Sequence, residues 1–435
     1  MIKKFIVLIT VVFTCNSFAQ QGTSSPYSFY GLGSLKFKGT VENQSMGGLS
    51  VYSDSIHLNL RNPASYAGNN LKFYNNEARP IKYTVGGSQS SVNLKTESAN
   101  DNANTTTFDY LAIAIPLGKF GAGFGIIPYS SVGYKLQSID PNDVLQYKYR
   151  GEGGLNKVFV GVGYQLTKDL RIGIDTHYNF GNITNTNIAY GYNDDGDFLQ
   201  YHSREVNRSD LGGISFNFGI IYSKLLKDNL ELMASATFSP TSNLSSENER
   251  SFSSIVINPS TDQDFAINTI DVDLAAQNLK NTTLKIPTKS SIGVGVGDPR
   301  KWFAGVEYTL LKASQYTNRL VTIDNAVFED ASTISLGGFY IPRYDSFNKY
   351  LKRVVYRAGL RFENTGLVVN DQAIEEFGIS FGIGLPVGRV FSNANLGVEI
   401  GKRGTTNANL VQENFVNFQI SLSLNDRWFE KRKFN

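Results

Sequence analysis

The residues most suited to chemistry are few. His57, His177 and His202 are the histidines, and a zinc site would need them in an HExxH or similarly paired spacing. They are scattered instead, so each is expected to be a loop or lumen residue. Gly378-Ile379-Ser380-Phe381-Gly382 spells a G-x-S-x-G nucleophile elbow. That motif works only on a sharp strand-to-helix turn, whereas here it lies inside a regular alternating strand. Ser380 is therefore expected to point inward as a small residue. Asn193-Asp194-Asp195-Gly196-Asp197 has part of a calcium loop, but Gly191 and His202 stand where carboxylates are required. A polar loop tip is expected there. The glycine rows repeat every second residue with no helix following, which excludes a dinucleotide fingerprint. Lys431-Arg432-Lys433 is expected as a solvated tail, with headgroup contacts of about 1 kcal/mol per residue at most. No catalytic residue, metal site or cofactor is expected, and the chain does not read as an enzyme.

The elements that hold these residues have a two-face pattern. Strand side chains alternate between faces, so a membrane barrel is apolar outward and small or polar inward. Phe120, Ala122, Phe124 and Ile126 alternate with Gly121, Gly123 and Gly125. Val158, Val160, Val162 and Tyr164 do so with Phe159, Gly161 and Gly163. The pattern returns at Ile214 to Ile220, Ile292 to Gly297, Phe377 to Leu385, Leu396 to Gly401 and Phe418 to Leu424. A soluble β-sandwich alternates too, but its second face would be charged, and here it is mainly Gly, Ser and Asn. Tyr129, Tyr134, Tyr222, Tyr308 and Trp428 fall near strand ends, as interfacial aromatic girdles would.

The termini and composition agree. Lys3 and Lys4 precede an apolar run from Phe5 to Phe13, and Ser17-Phe18-Ala19 fits a signal-peptidase site. The run is shorter than the roughly 20 residues of a membrane helix. Residues 1–19 are expected to be a cleaved signal peptide, and the protein is expected in the outer membrane. Cys15 is the sole cysteine, so the mature chain has no thiol for catalysis, disulfides or metal. A formal charge of +3, lowered by two when Lys3 and Lys4 leave, argues against a nucleic-acid partner. Export without a spanning helix requires a closed barrel, since hydrocarbon cannot satisfy open strand edges.

Turns are expected at Lys168-Asp169, Lys227-Asp228-Asn229, Asp298-Pro299-Arg300 and Val387-Gly388. Extracellular loops are expected at Gly86 to Thr106, Tyr190 to Asn207, Thr241 to Thr283 and Lys312 to Ser332, with Ser253 to Asn258 extending a strand beyond the membrane. This divides residues 71–435 into an all-β, antiparallel transmembrane β-barrel of ~14 strands.

Residues 20–70 break the alternation. They contain the aromatic, turn-rich Ser25 to Gly33, the small-residue stretch Met46-Gly47-Gly48-Leu49-Ser50-Val51, and Asn62-Pro63-Ala64-Ser65-Tyr66. Such a segment is too aromatic for a solvated tail, and a lumen lined by glycine has room for it. The order Gly47-Gly48, Asp54-Ser55, Asn62-Pro63-Ala64 ahead of the first strand resembles the FadL-type transporters of long-chain fatty acids and hydrocarbons. Ile286 to Gly293 followed by Lys301 to Tyr308 is similar to a late strand pair of that family. The resemblance implies a 14-stranded barrel with residues 20–70 as an N-terminal hatch or plug in the lumen. It also implies a hatch and ligand pathway at Gly47, Gly48, Asn62, Pro63, Ala64, Ser65 and Tyr66. Ser65-Tyr66 replaces the Gly-plus-apolar pair usual after the motif.

The closing Leu424-Asn425-Asp426-Arg427-Trp428-Phe429 and the basic tail are similar to barrel proteins of bacteria with type IX secretion. In that setting a FadL-like member serves beside the translocon. Two functions are thus expected in order. The first is uptake of small hydrophobic molecules through a continuous apolar pocket of roughly 300–1,000 Å³. The second is a structural or interaction barrel with a secretion-system partner protein. Outer-membrane lipid surrounds the chain in either case.

Overall fold

The computed structural model describes residues 22–426 apart from 55, 69–79, 141, 228, 259, 299, 317–324 and 388–391. The expected signal peptide, Ser55, Trp428 and the basic tail lie outside these residues, as do Asp228, Pro299 and Gly388 of the expected turns.

Among the described residues fourteen antiparallel strands close into one barrel. They are β1 (Ile81–Lys95), β2 (Asn100–Leu117), β3 (Phe120–Val132, continued by Lys135–Ile139), β4 (Leu145–Gln165) and β5 (Leu170–Ala189). Next come β6 (His202–Lys227), β7 (Leu230–Ser239, continued by Ser242–Ile257), β8 (Asn281–Ile286, continued by Lys289–Asp298) and β9 (Trp302–Leu311). The last are β10 (Ala331–Tyr340), β11 (Val355–Val369), β12 (Gln372–Val387), β13 (Ser392–Arg403) and β14 (Gln412–Asp426). Closure runs from Ile81 opposite Asp426 to Lys95 opposite Gln412. Strands β7 and β8 are interrupted beside Pro240 and Pro287, since proline has no N–H for the ladder.

The faces follow the sequence pattern. Phe124, Val160, Ile214, Phe218, Ile292, Phe381 and Ile420 are exposed to the outside, while Gly121, Gly161, Ser215, Gly293, Ser380 and Ser421 are buried inside. Aromatics gather at the short-turn end, where Trp302 stands opposite Tyr340 and Tyr340 opposite Tyr356. By the usual asymmetry of these barrels that end is periplasmic.

Two expectations change. Tyr134 does not belong to a girdle: it is 0% exposed and packs inside with Val132 and Leu155, its hydroxyl donating to Asn185 at 2.9 Å. Tyr129 likewise packs against this inner cluster, with Lys157 over its ring. Tyr134 follows the break in β3 at Gly133-Tyr134, and Tyr129 sits at the register shift between Pro128 and Ser130.

Two of the four polar stretches expected as extracellular loops are largely strand, while Tyr190 to Asn207 is loop up to His202. Gly86 to Thr106 is most of the β1–β2 hairpin, and Thr241 to Thr283 holds the rest of β7 with a partner strand, Asp264–Asp271. Above the membrane both faces meet water, so no apolar alternation marks the strand.

Residues 22–68, apart from 55, lie inside the barrel and touch its wall at backbone distance. A Cβ added at Gly121 would strike Tyr66 O, at Gly219 Asn62, at Gly337 Met46 O and at Gly359 the Gly47 amide. At Gly173 it would come 2.5 Å from Ala64 N. The inward glycines are therefore needed as absent side chains, which is a packing requirement. Gly219→Val is expected to push Asn62-Pro63 off the wall. Limited proteolysis of detergent-solubilised protein should then cut within residues 56–68 at least tenfold faster than in the parent, a factor of ten being about 1.4 kcal/mol of opening free energy. Unchanged protection would refute the packing account.

Candidate functional site

The interior segment is built from short local devices. Thr40 and Asn43 cap the single-turn helix Val41–Gln44 reciprocally. Gly47 and Gly48, with φ of +68° and +85°, then reverse the chain in the left-handed region that glycine tolerates. Asn62 caps the 3-10 turn Pro63–Tyr66 by accepting from the Ala64 amide at 3.1 Å, and Pro63 occupies the first turn, where no N–H is needed.

Each device also holds the wall. The Asn62 amide donates to the carbonyls of Ile220 (3.1 Å) and Ala236 (3.4 Å), joining β6 and β7 to the segment. Tyr66 is fully buried over Gly123 and Gly161, its hydroxyl at Asp175. The Ser65 hydroxyl donates to Asn59 O at 2.8 Å. The Gly47 amide donates to Ser380 Oγ at 2.9 Å, so the serine of the G-x-S-x-G run is a wall bracket. Gly47, Gly48, Asn62, Pro63, Ala64, Ser65 and Tyr66 are thus not one cluster. Gly47 and Gly48 meet β10 to β12, while residues 62–66 meet β3 to β7 across the lumen.

Charged anchors, of which the motif reading named only Asp54 and His57, complete the attachment. Glu307 on β9 is buried and accepts from Arg61 at 2.6 Å and from the Ser50 amide and hydroxyl at 2.8 and 2.7 Å. Glu42 accepts from Asn395 at 2.9 Å and Ser423 at 2.7 Å. Lys82 donates to His57 O at 2.8 Å, and His57 Nδ1 sits 2.6 Å from Asp54.

Nearer the extracellular rim, Lys38 pairs with Glu376 at 2.6 Å, and Arg361 with Glu363, Glu376 and Glu399 at 2.6, 2.5 and 2.5 Å. Arg403 joins Glu376 and reaches Glu413 at 3.6 Å. The available signal was register: Glu307, Arg361, Glu376 and Glu399 are charges at inward positions, alternating with the outward apolar residues of their strands.

Cavities of about 110, 100 and 120 Å³ lie in the lumen. Each is smaller than the continuous apolar pocket expected from the sequence. The first is polar, between Lys36, Asp109, Glu376 and Arg403. The third, above the ion pairs, is walled by Tyr27, Tyr30, Leu32, Tyr129, Tyr316 and Phe328, with Lys38, Glu363 and Arg403 along one side. A wider apolar depression of about 1,120 Å³ spreads over the lipid-facing surface of β9 to β14. Among the described residues no cluster of His, Cys, Asp or Glu is placed to hold a metal.

A fourteen-stranded barrel with aromatics at its short-turn end and a segment packed within its lumen has the fold of the FadL-type barrels. The fold is similar to the Pseudomonas putida toluene transporter TodX, with a TM-score of 0.57 and 13% identity over 91% of this chain and 99% of that one. It is similar to the Ralstonia pickettii toluene transporter TbuX (TM-score 0.56, 13% identity, 89% and 98% covered) and to a Pseudomonas aeruginosa FadL homologue (0.55, 10%, 90% and 98%). No curated protein matches the sequence. The chain belongs to the BamG family, whose model matches residues 1–435.

Glu307→Ala leaves Arg61 in the lumen without its carboxylate. Breaking such a pair is expected to cost about 3–5 kcal/mol, while Glu307→Gln, which keeps a hydrogen-bond acceptor, should cost less. Urea unfolding in detergent micelles measures this, and an unchanged midpoint in Glu307→Ala would show that the anchor contributes nothing.

Proposed function

We propose that this barrel admits small hydrophobic molecules from the cell exterior, with the aromatic cavity above the ion pairs as the capture point. The observation that carries this reading is the lining of that cavity, in which four tyrosines and Phe328 converge beside Lys38 and Arg403. Rings provide apolar contact, and the charged side suits a ligand with one polar end. A cavity of about 120 Å³ is near the size of an apolar cavity that takes up one benzene ring, about 150 Å³. A long acyl chain would need the interior segment to shift.

Residues 20–70 act in this reading as the hatch. Onward passage follows release of Asn62 from the Ile220 and Ala236 carbonyls. The toluene transporters of similar fold make a monoaromatic ligand the first one to try.

A second reading is favoured by a different feature. Asp264–Asp271 pairs only with β7 among the described residues, and it exposes Phe265, Ile267 and Ile270 on the extracellular side. An open edge with apolar side chains is a template for another chain. On this reading the protein is an interaction barrel beside a secretion translocon, and its plug stays in place.

Binding of toluene to the detergent-purified full-length protein, measured by solvent extraction and mass spectrometry, separates the two. Near-stoichiometric retention, lost in Leu32→Trp because the larger ring fills the cavity, is the outcome expected for uptake. No retention by the parent, with a co-purifying protein released on Ile267→Asp, would replace uptake with the interaction role.

A further inference from the structure

The lipid-facing depression lies where small residues occupy both faces of the wall. Ala304 on β9, Gly338 on β10 and Ala358 on β11 are cross-strand neighbours on the outer face. Directly behind them, Gly305, Gly337 and Gly359 are neighbours on the inner face. Leu336, Phe381 and Leu396 rise around the hollow, and Trp302, Tyr340 and Tyr356 form a shelf at its periplasmic side. Small residues alone would not indicate a ligand, but the turns below this shelf have an unusual character.

The connection from Tyr340 to Val355 is long for the short-turn end. Its Phe347 is 92% and its Leu351 69% exposed, which is costly in water but suited to the headgroup boundary of a membrane. Together with the β8–β9 turn it carries Arg300, Lys301, Arg343, Lys349, Lys352 and Arg353, with Asp298 and Asp345. Lys301 pairs with Asp298 and Arg343 with Asp345, each at 3.2 Å. Arg300 is occupied by the Tyr344 hydroxyl and ring, and Arg353 lies over the Tyr350 ring. Lys349 and Lys352 have no carboxylate partner among the described residues. The Tyr350 hydroxyl donates to Pro386 O and that of Tyr356 to Leu351 O, which ties this basic turn under the depression.

We propose that the depression and the basic turn form a site for an anionic diacyl phospholipid of the periplasmic leaflet. Its acyl chains lie over Ala304, Gly338 and Ala358, its glycerol backbone at Trp302, Tyr340 and Tyr356, and its phosphate at Lys349 and Lys352. Charge complementarity selects the headgroup, and the hollow holds the chains where a bulkier wall would expel them.

The site contains one of the two tryptophans, which provides the test. Full-length protein carrying Trp428→Phe is placed in phosphatidylcholine vesicles doped with brominated-acyl phosphatidylglycerol or, at equal mole fraction, brominated-acyl phosphatidylcholine. Quenching of Trp302 should show at least about threefold preference for the anionic lipid, less than two lysine contacts can supply. Lys349→Gln with Lys352→Gln, both on an exposed turn, should abolish the preference. Ala358→Leu should weaken quenching by the anionic lipid by filling the hollow. Equal quenching by both lipids, or a preference that survives the lysine changes, overturns the proposal. So does absence of quenching by either lipid with a second polypeptide cross-linking at Tyr340.

Discussion

The structure depends on a wall stripped of side chains along its inner face. The inner glycines let the backbone of residues 45–66 approach the backbone of the strands, and nearly any Cβ there would collide with it. Contact of this kind excludes water and fixes the segment's path, because a main chain has no rotamers with which to adapt. The outer face of the same strands is apolar and meets lipid, so each strand serves two solvents with alternate residues.

Close approach makes polar partners unavoidable. A segment with little regular structure has many backbone groups to satisfy, and in the lumen several of its amides donate to Ser380, Tyr110 and Glu307, while its Asn62 side chain donates to carbonyls of β6 and β7. Buried charge is tolerated because it is shared. Arg361 serves three carboxylates and Glu376 three cations, so neither of these two ions depends on a single partner. The plug is thereby tied to many strands at once, and moving it requires exchanging a set of hydrogen bonds rather than opening one latch. This places a physical limit on hatch mechanisms, and it is why the small cavities bear on function as much as the fold does.

Charge and aromaticity are also divided by height. Above the membrane β4 to β7 continue as polar ribbons, tied by Lys148 of β4 to Asp262 and by Arg150 of β4 and Arg204 of β6 to Asp264. Near water such pairs add little stability, and their effect is to keep the ribbons together as a rim. Below, cations without carboxylates sit beside exposed aromatics, a combination suited to a headgroup layer.

Most of the barrel was legible in the sequence because period-two alternation is a local property: Phe124 beside Gly125 has only one arrangement that suits both lipid and a filled lumen. The strand faces, the near count of strands and the inward position of Ser380 follow from that pattern alone. Where both faces are wet the pattern vanishes, and the long ribbons read as loops. Tyr134 read as a girdle residue because one broken backbone position reverses its side, and no composition records that. The Asn62-Pro63-Ala64 motif could be singled out, but its distance from Gly47-Gly48 across the lumen could not. Glu307, Arg361 and Glu376 have meaning only through partners hundreds of residues away in the chain. Sequence determines which residues face lipid, since that depends on neighbours two positions apart. Only the tertiary structure decides what fills the lumen and how tightly, because that depends on contacts between opposite walls.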